Sequence, residues 1–272
     1  MQSHNCLLPQ QCSKIPPATR RPKKNAAPSN SRALSTIRMA LSSFEAMPHR
    51  ELSRSVEDYL KAIFRLSTDG EPASTTAIAE ALDIQPASVT GMVKRLAETG
   101  LLRHVPYRGA RLTDAGEQAA LKVLRRHRII ETYLCQMLEY AWDDVHAEAE
   151  RLEHAASDEL VERMATALGS PSHDPHGSPI PTRAGELEAP RLATLADAEH
   201  GTRVRISEVR DKEADELRSM AAHGLVPGVA LLVDSDQDLE GVVAVTVGND
   251  EGVSLTVQDH LARRIFVVPD EV

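Results

Sequence analysis

The sequence predicts a mainly α chain that ends in a small β barrel, with a winged helix-turn-helix at the front of its helical part. Three observations carry that prediction. Apolar residues recur at helical spacing from Ser53 to Gly169, broken only by short turn signals. A stretch dense in Pro, Gly and Ser, "GSPSHDPHGSPIPTRAGELEAP", then ends the periodicity. Beyond it come short β-like runs, "TRVRISEV", "ALLVDSD", "GVVAVTVG", "GVSLTV" and "RRIFVV", whose spacing and turn residues suit a barrel. The expected boundaries are a basic tail over 1–52, a winged domain over 53–115, a helical domain over 116–169, a linker over 170–190 and the β domain over 191–272.

Composition narrows the function. The 272 residues are 42% hydrophobic and 26% charged, ordinary for a globular chain that buries a core. Aromatics are only 3%, so the core is aliphatic and the composition argues against base-stacking on aromatic platforms. No apolar run reaches the roughly 18 residues of a membrane span, so no membrane partner is expected. Cys6, Cys12 and Cys135 are odd in number and form no CxxC, which argues against a disulfide framework or zinc knuckle and suits a reducing cytoplasm. The net charge is −9, yet the first fifty residues set Lys14, Arg20, Arg21, Lys23, Lys24, Arg32, Arg38 and Arg50 against Glu45 alone. This segment lacks apolar periodicity and reads as a disordered tail, a DNA-grazing arm or targeting peptide being alternatives, as is a start at Met39 or Met47.

The elements follow in order. "SVEDYLKAIFRL" sets Val56, Tyr59, Leu60, Ile63 and Leu66 at helical spacing behind Ser55 as a cap. "STTAIAEALDIQPASVTGMVKRLAETGLL" reads as two short helices joined by a tight turn at Leu82 to Gln85. Ile78, Ala79 and Leu82 face inward on the first and Val89, Val93 and Leu96 on the second, with Gly100 past the end. "LLRHVPYRGARLTDAGE" supplies a hairpin around Arg108-Gly109. In such a motif the second helix enters the major groove by its first residues, here Gln85, Ala87, Ser88 and Thr90. Gln can bond adenine, and Ala or a Thr methyl can meet thymine's methyl. Lys94, Arg95 and Arg108 are placed for phosphates, with Arg103 and Arg111 in support. A bundle of this kind can instead mediate protein contacts; the basic wing and polar helix start favour duplex DNA.

From Asp114 to Gly169 the chain is almost continuously helical, with more apolar face than one small winged domain covers. A homodimer is the expected use of that surplus. "VHAEAERLEHAASDEL" places His146, Glu150, Glu153 and His154 on one stripe, within about 80° of each other at about 100° per residue. A solvated polar face and a divalent-cation site both explain such a stripe. "RRHRIIETYL" adds His127 and Glu131 four apart. Two helices joined by "LEYAWDD" can bring these pairs face to face, and Asp58 lies on the first helix, which must pack against them.

This order of elements, with "RRHRIIE" and "VHAEAERLEH" at this separation, resembles the diphtheria toxin repressor and manganese transport regulator family over about Ser53 to Val272. The resemblance implies a metal-activated dimeric transcription factor, not an enzyme, with a palindromic operator, and a C-terminal SH3-like, FeoA-type domain. It implies two metal positions. His127, Glu131 and His146 match an ancillary site, with Glu213 and Glu216 of the helix "DKEADELRSMAAHGL" at the places where iron-type members add barrel ligands. Asp58, Glu150, Glu153 and His154 match the regulatory site. Iron-type members carry Met and Cys where this chain has Asp58 and Glu150; manganese-type members carry Asp and Glu. Oxygen donors suit Mn2+, with Fe2+ the alternative. One departure is Lys61, where manganese-type members commonly have a carboxylate. It speaks for separated mononuclear sites over a dimanganese centre. A metallohydrolase is the rival from another class, without an HExxH or a separate general base; an adaptor that binds a transporter is a third. His173 and His176 are expected to be solvated, Cys135 to be core, His223 to cap a helix end, and Asp158 to meet a neighbouring helix.

Overall fold

The structure, a computed structural model, describes residues 52–67, 71–188, 190–210, 214–234, 240–248 and 252–270. The expected basic tail and Glu213 lie outside the described residues.

The winged domain is built from α1 (Arg54–Leu66), α2 (Thr75–Ala81), α3 (Pro86–Glu98) and a hairpin of β1 (Leu102–Val105) and β2 (Gly109–Leu112). Ser53, not Ser55, stands at the start of α1, because its carbonyl already accepts the amides of Val56 and Glu57 at 2.8 and 3.1 Å. Ser74 caps α2 by accepting from the Ala77 amide, and Pro86 opens α3 with its φ preset for a helix. Between them Asp83, at φ 51, makes the sharp turn. Val56, Leu60, Ile63, Ile78, Val89, Val93, Leu96 and Leu102 close the core. Gly109 has φ 114, and a Cβ there would sit 1.9 Å from the Ala73 carbonyl oxygen. Only glycine lets the wing pair with the segment before α2, where Ala73 and Ala110 exchange backbone hydrogen bonds of 2.9 Å.

The long helix α4 (Asp114–Leu138) is capped by Thr113 and ends at Glu139 in the left-handed region. Helix α1 packs against its first half, and α5 (Val145–Leu152) and α6 (Asp158–Ala167) pack against the rest. Ile129, Ile130, Leu134, Val145, Ala149, Val161 and Ala165 fill those contacts, with Cys135 half-buried beside them.

After the linker comes an antiparallel sheet of β3 (Ala193–Thr194), β4 (Arg203–Val209), β5 (Ala230–Val233), β6 (Val242–Val247), β7 (Val253–Gln258) and β8 (Ile265–Pro269), ordered β3-β8-β4-β5-β6-β7. This is the small β domain expected at the C-terminal end of the chain. Helices α7 (Ala214–Ala222) and α8 (Asp259–Ala262) close its aliphatic core of Leu195, Val204, Ile206, Leu217, Met220, Leu231, Val245 and Ile265. His223 Nδ1 donates to the Ser219 carbonyl, capping α7 as expected. Among the described residues no helix is long and apolar enough to cross a membrane.

Candidate metal centre

Three helices converge on a buried polar layer. Helix α4 carries His127 and Glu131 four residues apart; α5 and the turn after it carry His146, Glu150, Glu153 and His154; α1 brings Asp58 and Lys61. His127, Glu131, Glu153 and Lys61 are buried outright. Such groups are stable there only if each finds a partner, and the contacts show how they do.

His154 is held from behind. Glu57 accepts from its Nδ1 at 2.7 Å, and Arg126 on α4 donates to the other oxygen of Glu57 at 2.8 Å and to the Glu153 carbonyl at 3.1 Å. A carboxylate can only accept, so Nδ1 carries the proton of that bond, and the lone pair of the neutral ring falls on Nε2. Nε2 is buried without a hydrogen-bond partner, 2.8 Å from Asp58 Oδ1 and 3.2 Å from Glu153 Oε1. A ring nitrogen facing two carboxylate oxygens without hydrogen bonds is an arrangement a cation satisfies, and ligand atoms of these three residues all lie within 4.8 Å of one another. The donor set fits a divalent metal ion.

His127 stands between two carboxylates, its Nδ1 2.7 Å from Glu153 and its Nε2 2.8 Å from Glu131. Burial pushes its pKa down, but the charge and hydrogen bonds of Glu131, with that of Glu153, outweigh this and raise it. Glu131 and Glu153 are lowered in turn: burial opposes ionisation, and His127 overcomes it. Burial lowers His146, whose Nδ1 is 3.0 Å from Glu131. Glu150 is also pushed up by burial, yet Lys61 and then His127 bring its carboxyl down to about 2. Asp58 is raised, burial outweighing the pull of His154 and Lys61.

Ligand atoms fall into groups that cut across the two expected sites. His127 and His146 gather with Glu150, and Asp58, Glu153 and His154 form the group described above. Glu131 groups instead with Asp174 and His176 of the linker. His176 is therefore buried, against the expectation that it is solvated. The linker folds back: His176 Nε2 donates to the Trp142 carbonyl at 2.8 Å, and its own carbonyl accepts from the Val209 amide at 2.8 Å. Asp174 accepts from the amides of His176 and Ser178, while burial and then the charge of Glu131 push its carboxyl up to about 6 against Arg128. His173 is exposed.

The expected contribution of the barrel helix is different. Glu216 on α7 accepts from Arg264 at 2.7 Å within its own domain and, among the described residues, belongs to none of these groups. Asp158 faces Arg126 of α4 at 3.8 Å. Sequence reasoning missed Glu57, Arg126, Asp174 and His176. The one local signal for Glu57 is its position four residues before Lys61, which puts both on the flank of α1 that meets α4.

Gln85, Ala87, Ser88, Thr90, Lys94, Arg95 and Arg108 are all exposed at or near α3 and the hairpin turn. The Thr90 hydroxyl donates to the Pro86 carbonyl, and Arg108 pairs with Glu71. Arg103 and Arg111 stand directly opposite each other across the hairpin.

Residues 51–110 match the family described as the iron dependent repressor, N-terminal DNA binding domain; residues 113–182 match the iron dependent repressor, metal binding and dimerisation domain; residues 193–269 match the FeoA domain. The iron-dependent repressor IdeR of Mycobacterium tuberculosis is 30% identical over 218 residues, 75% of this chain and 94% of that protein. The diphtheria toxin repressor of Corynebacterium efficiens is 27% identical, over 80% of this chain and 96% of its own length. Among solved structures, a manganese-dependent transcriptional repressor in complex with manganese superposes with a TM-score of 0.74 at 34% identity, covering 79% of this chain and 99% of that one. The manganese regulator SloR gives 0.67 at 32%, over 79% and 98%.

Proposed function

The chain belongs to the diphtheria toxin repressor family of metal-dependent, DNA-binding transcriptional repressors, which are not enzymes, and on that premise we propose that its effector is Mn2+. In this reading it acts in the cytoplasm as a homodimer on a palindromic operator of metal-uptake genes. The observation that carries it is the orphaned Nε2 of His154, set among the oxygens of Asp58 and Glu153 with no sulfur donor in the group. Oxygen donors with one imidazole suit a hard ion such as Mn2+.

Asp58, Glu150, Glu153 and His154 would hold the regulatory ion, and His127, Glu131 and His146 the ancillary one, with Asp174 and His176 within reach of Glu131. A bound divalent ion supplies two positive charges and directed bonds to ligands from separate helices. The protein residues do the rest. Glu57 and Arg126 hold His154 in the ligating tautomer, and Asp58 ties α1, hence the winged domain, to the turn after α5. That fixes the angle between the winged domain and the dimer helices, favouring the conformer whose reading helices match the operator. Met137, Leu138, Tyr140, Leu152 and Leu160 are large exposed apolar side chains at the end of α4 and on α5 and α6, a face suited to a second copy. Arg103 and Arg111, like charges directly opposed, favour a phosphate between them. An iron response is the second reading, supported by the likeness to IdeR. Operator titrations with Mn2+, with Fe2+ under anaerobic conditions and with a chelator separate the two. Equal affinity with and without metal would overturn both.

A further inference from the structure

Lys61 occupies a singular position in this layer. Its ammonium is 2.8 Å from Glu150 Oε1 and 2.5 Å from Glu153 Oε1, and the side chain is 6% exposed. Glu150 belongs to the group with His127 and His146, and Glu153 to the group with Asp58 and His154. The ammonium thus sits at the boundary between two groups of metal-competent atoms, bonded to one carboxylate of each. It also reaches there from α1, so it spans the same gap between winged domain and sensing helix as Asp58 does.

We propose that Lys61 is a resident cation of the sensing cluster, which takes the place of a second metal ion and holds α1 to α5 before any metal arrives. The physical case rests on charge and geometry. Glu150, half-buried, and Glu153, fully buried, are three residues apart on one helical face, and two carboxylates at that spacing repel unless a cation lies between them. Lys61 supplies that cation without any metal. An ion added beside it meets like charge at close range, so the regulatory site at Asp58, Glu153 and His154 takes a single ion, and an ion on His127, Glu131 and His146 stands apart from it. The same ammonium weakens that ion's binding, because it already engages an oxygen of Glu153. The residue therefore sets both the number of ions and the metal concentration at which the cluster fills. It also gives the metal-free protein a tether that a carboxylate at 61 could not provide.

This inference rests on the metal-sensing reading of the cluster, and none of its measurements needs DNA. Purified full-length protein is equilibrated with Mn2+ and its ions counted by dialysis and elemental analysis. Lys61→Glu is expected to bind one more ion per subunit than wild type, with the exchange-coupled spin-resonance signal of neighbouring Mn2+ ions. Lys61→Met, which removes the charge and keeps the length, is expected to bind Mn2+ at least about tenfold more tightly. With a chelator present, its melting temperature should fall by on the order of 5 °C, because the buried Glu153 and the half-buried Glu150 lose the cation they share. Lys61→Arg should keep the wild-type ion count. Unchanged ion number in Lys61→Glu, together with unchanged affinity and metal-free melting temperature in Lys61→Met, would overturn the proposal while leaving metal sensing intact. Should wild-type protein bind no Mn2+, the sensing reading falls, and the metal-free melting temperature still decides whether Lys61 is a tether.

Discussion

The C-terminal sheet and the α1–α4–α5 layer bury their side chains on opposite principles. The sheet and its helix α7 enclose aliphatic residues such as Ile206, Leu217, Leu231 and Val245, whose backbone hydrogen bonds are met by strand pairing and by the helix. The helical layer encloses Glu57, Lys61, His127, Glu131 and Glu153, which are costly to bury and hold one another in place. A core built for stability has no use for five such groups. Their presence marks the layer as the place where the fold gives up stability to keep a charge-sensitive joint between the winged domain and the rest of the chain.

That contrast can be broken or sharpened by experiment. The largest effect is expected from Asp58→Ala combined with Glu150→Ala: Mn2+-dependent operator binding, read by gel shift or anisotropy, should be abolished. Retained silencing by manganese would sink the sensing role of the layer. Next, Glu153→Ala takes one of two carboxylate partners from each of the buried Lys61 and His127 and should cost the metal-free protein about 3 kcal/mol in denaturant unfolding. Leu231→Ala should cost about 2–5 kcal/mol by cavity formation in the sheet domain, with the Mn2+ affinity of the helical layer unchanged. If the two substitutions perturb metal binding alike, the division between the regions fails.

Acidity separates individual groups more finely. Glu150 has its carboxyl lowered from 4.5 to about 2, so its stabilising contribution is present above pH 4.5 and lost as pH falls through about 2. Asp174 is raised from 3.8 to about 6, so its contribution runs the other way: full below pH 3.8 and lost as pH rises through about 6. In metal-free protein Asp174→Asn should therefore gain on wild type above pH 6, by up to about 3 kcal/mol. Unfolding at pH 4 and pH 7 checks the sign. The smallest effect is reserved for the DNA face, where Arg95→Ala should weaken operator binding and lower the slope of log affinity against log salt by about one.

Much of this was legible in the sequence because it is local. Caps, turn residues and the periodicity of Val89, Val93 and Leu96 define the winged motif within a few residues, and the strand runs lie where the sheet has them. The His/Glu spacings on α4 and α5 could be read for the same reason. What escaped depends on distant chain returning to the layer. His176 looks like a solvated histidine in a Pro/Gly/Ser-rich linker until that linker folds against Trp142. Glu216 was expected on metal from resemblance alone, and nothing in the sequence signals that it also pairs with Arg264, 48 residues away. Glu57 sits beside Asp58 but acts through Arg126 and His154, partners that only the packing of α1 on α4 supplies.

The backbone at Gly177 has a mechanical corollary. A Cβ there would lie 2.0 Å from the Ser207 oxygen, and the flanking Ser178 hydroxyl donates to Glu208 of the same strand at 2.5 Å. The loop that bears Asp174 and His176 is thus riveted flush to β4, with no slack for even a methyl group. Lifting that loop from β4 would carry both side chains away from Glu131.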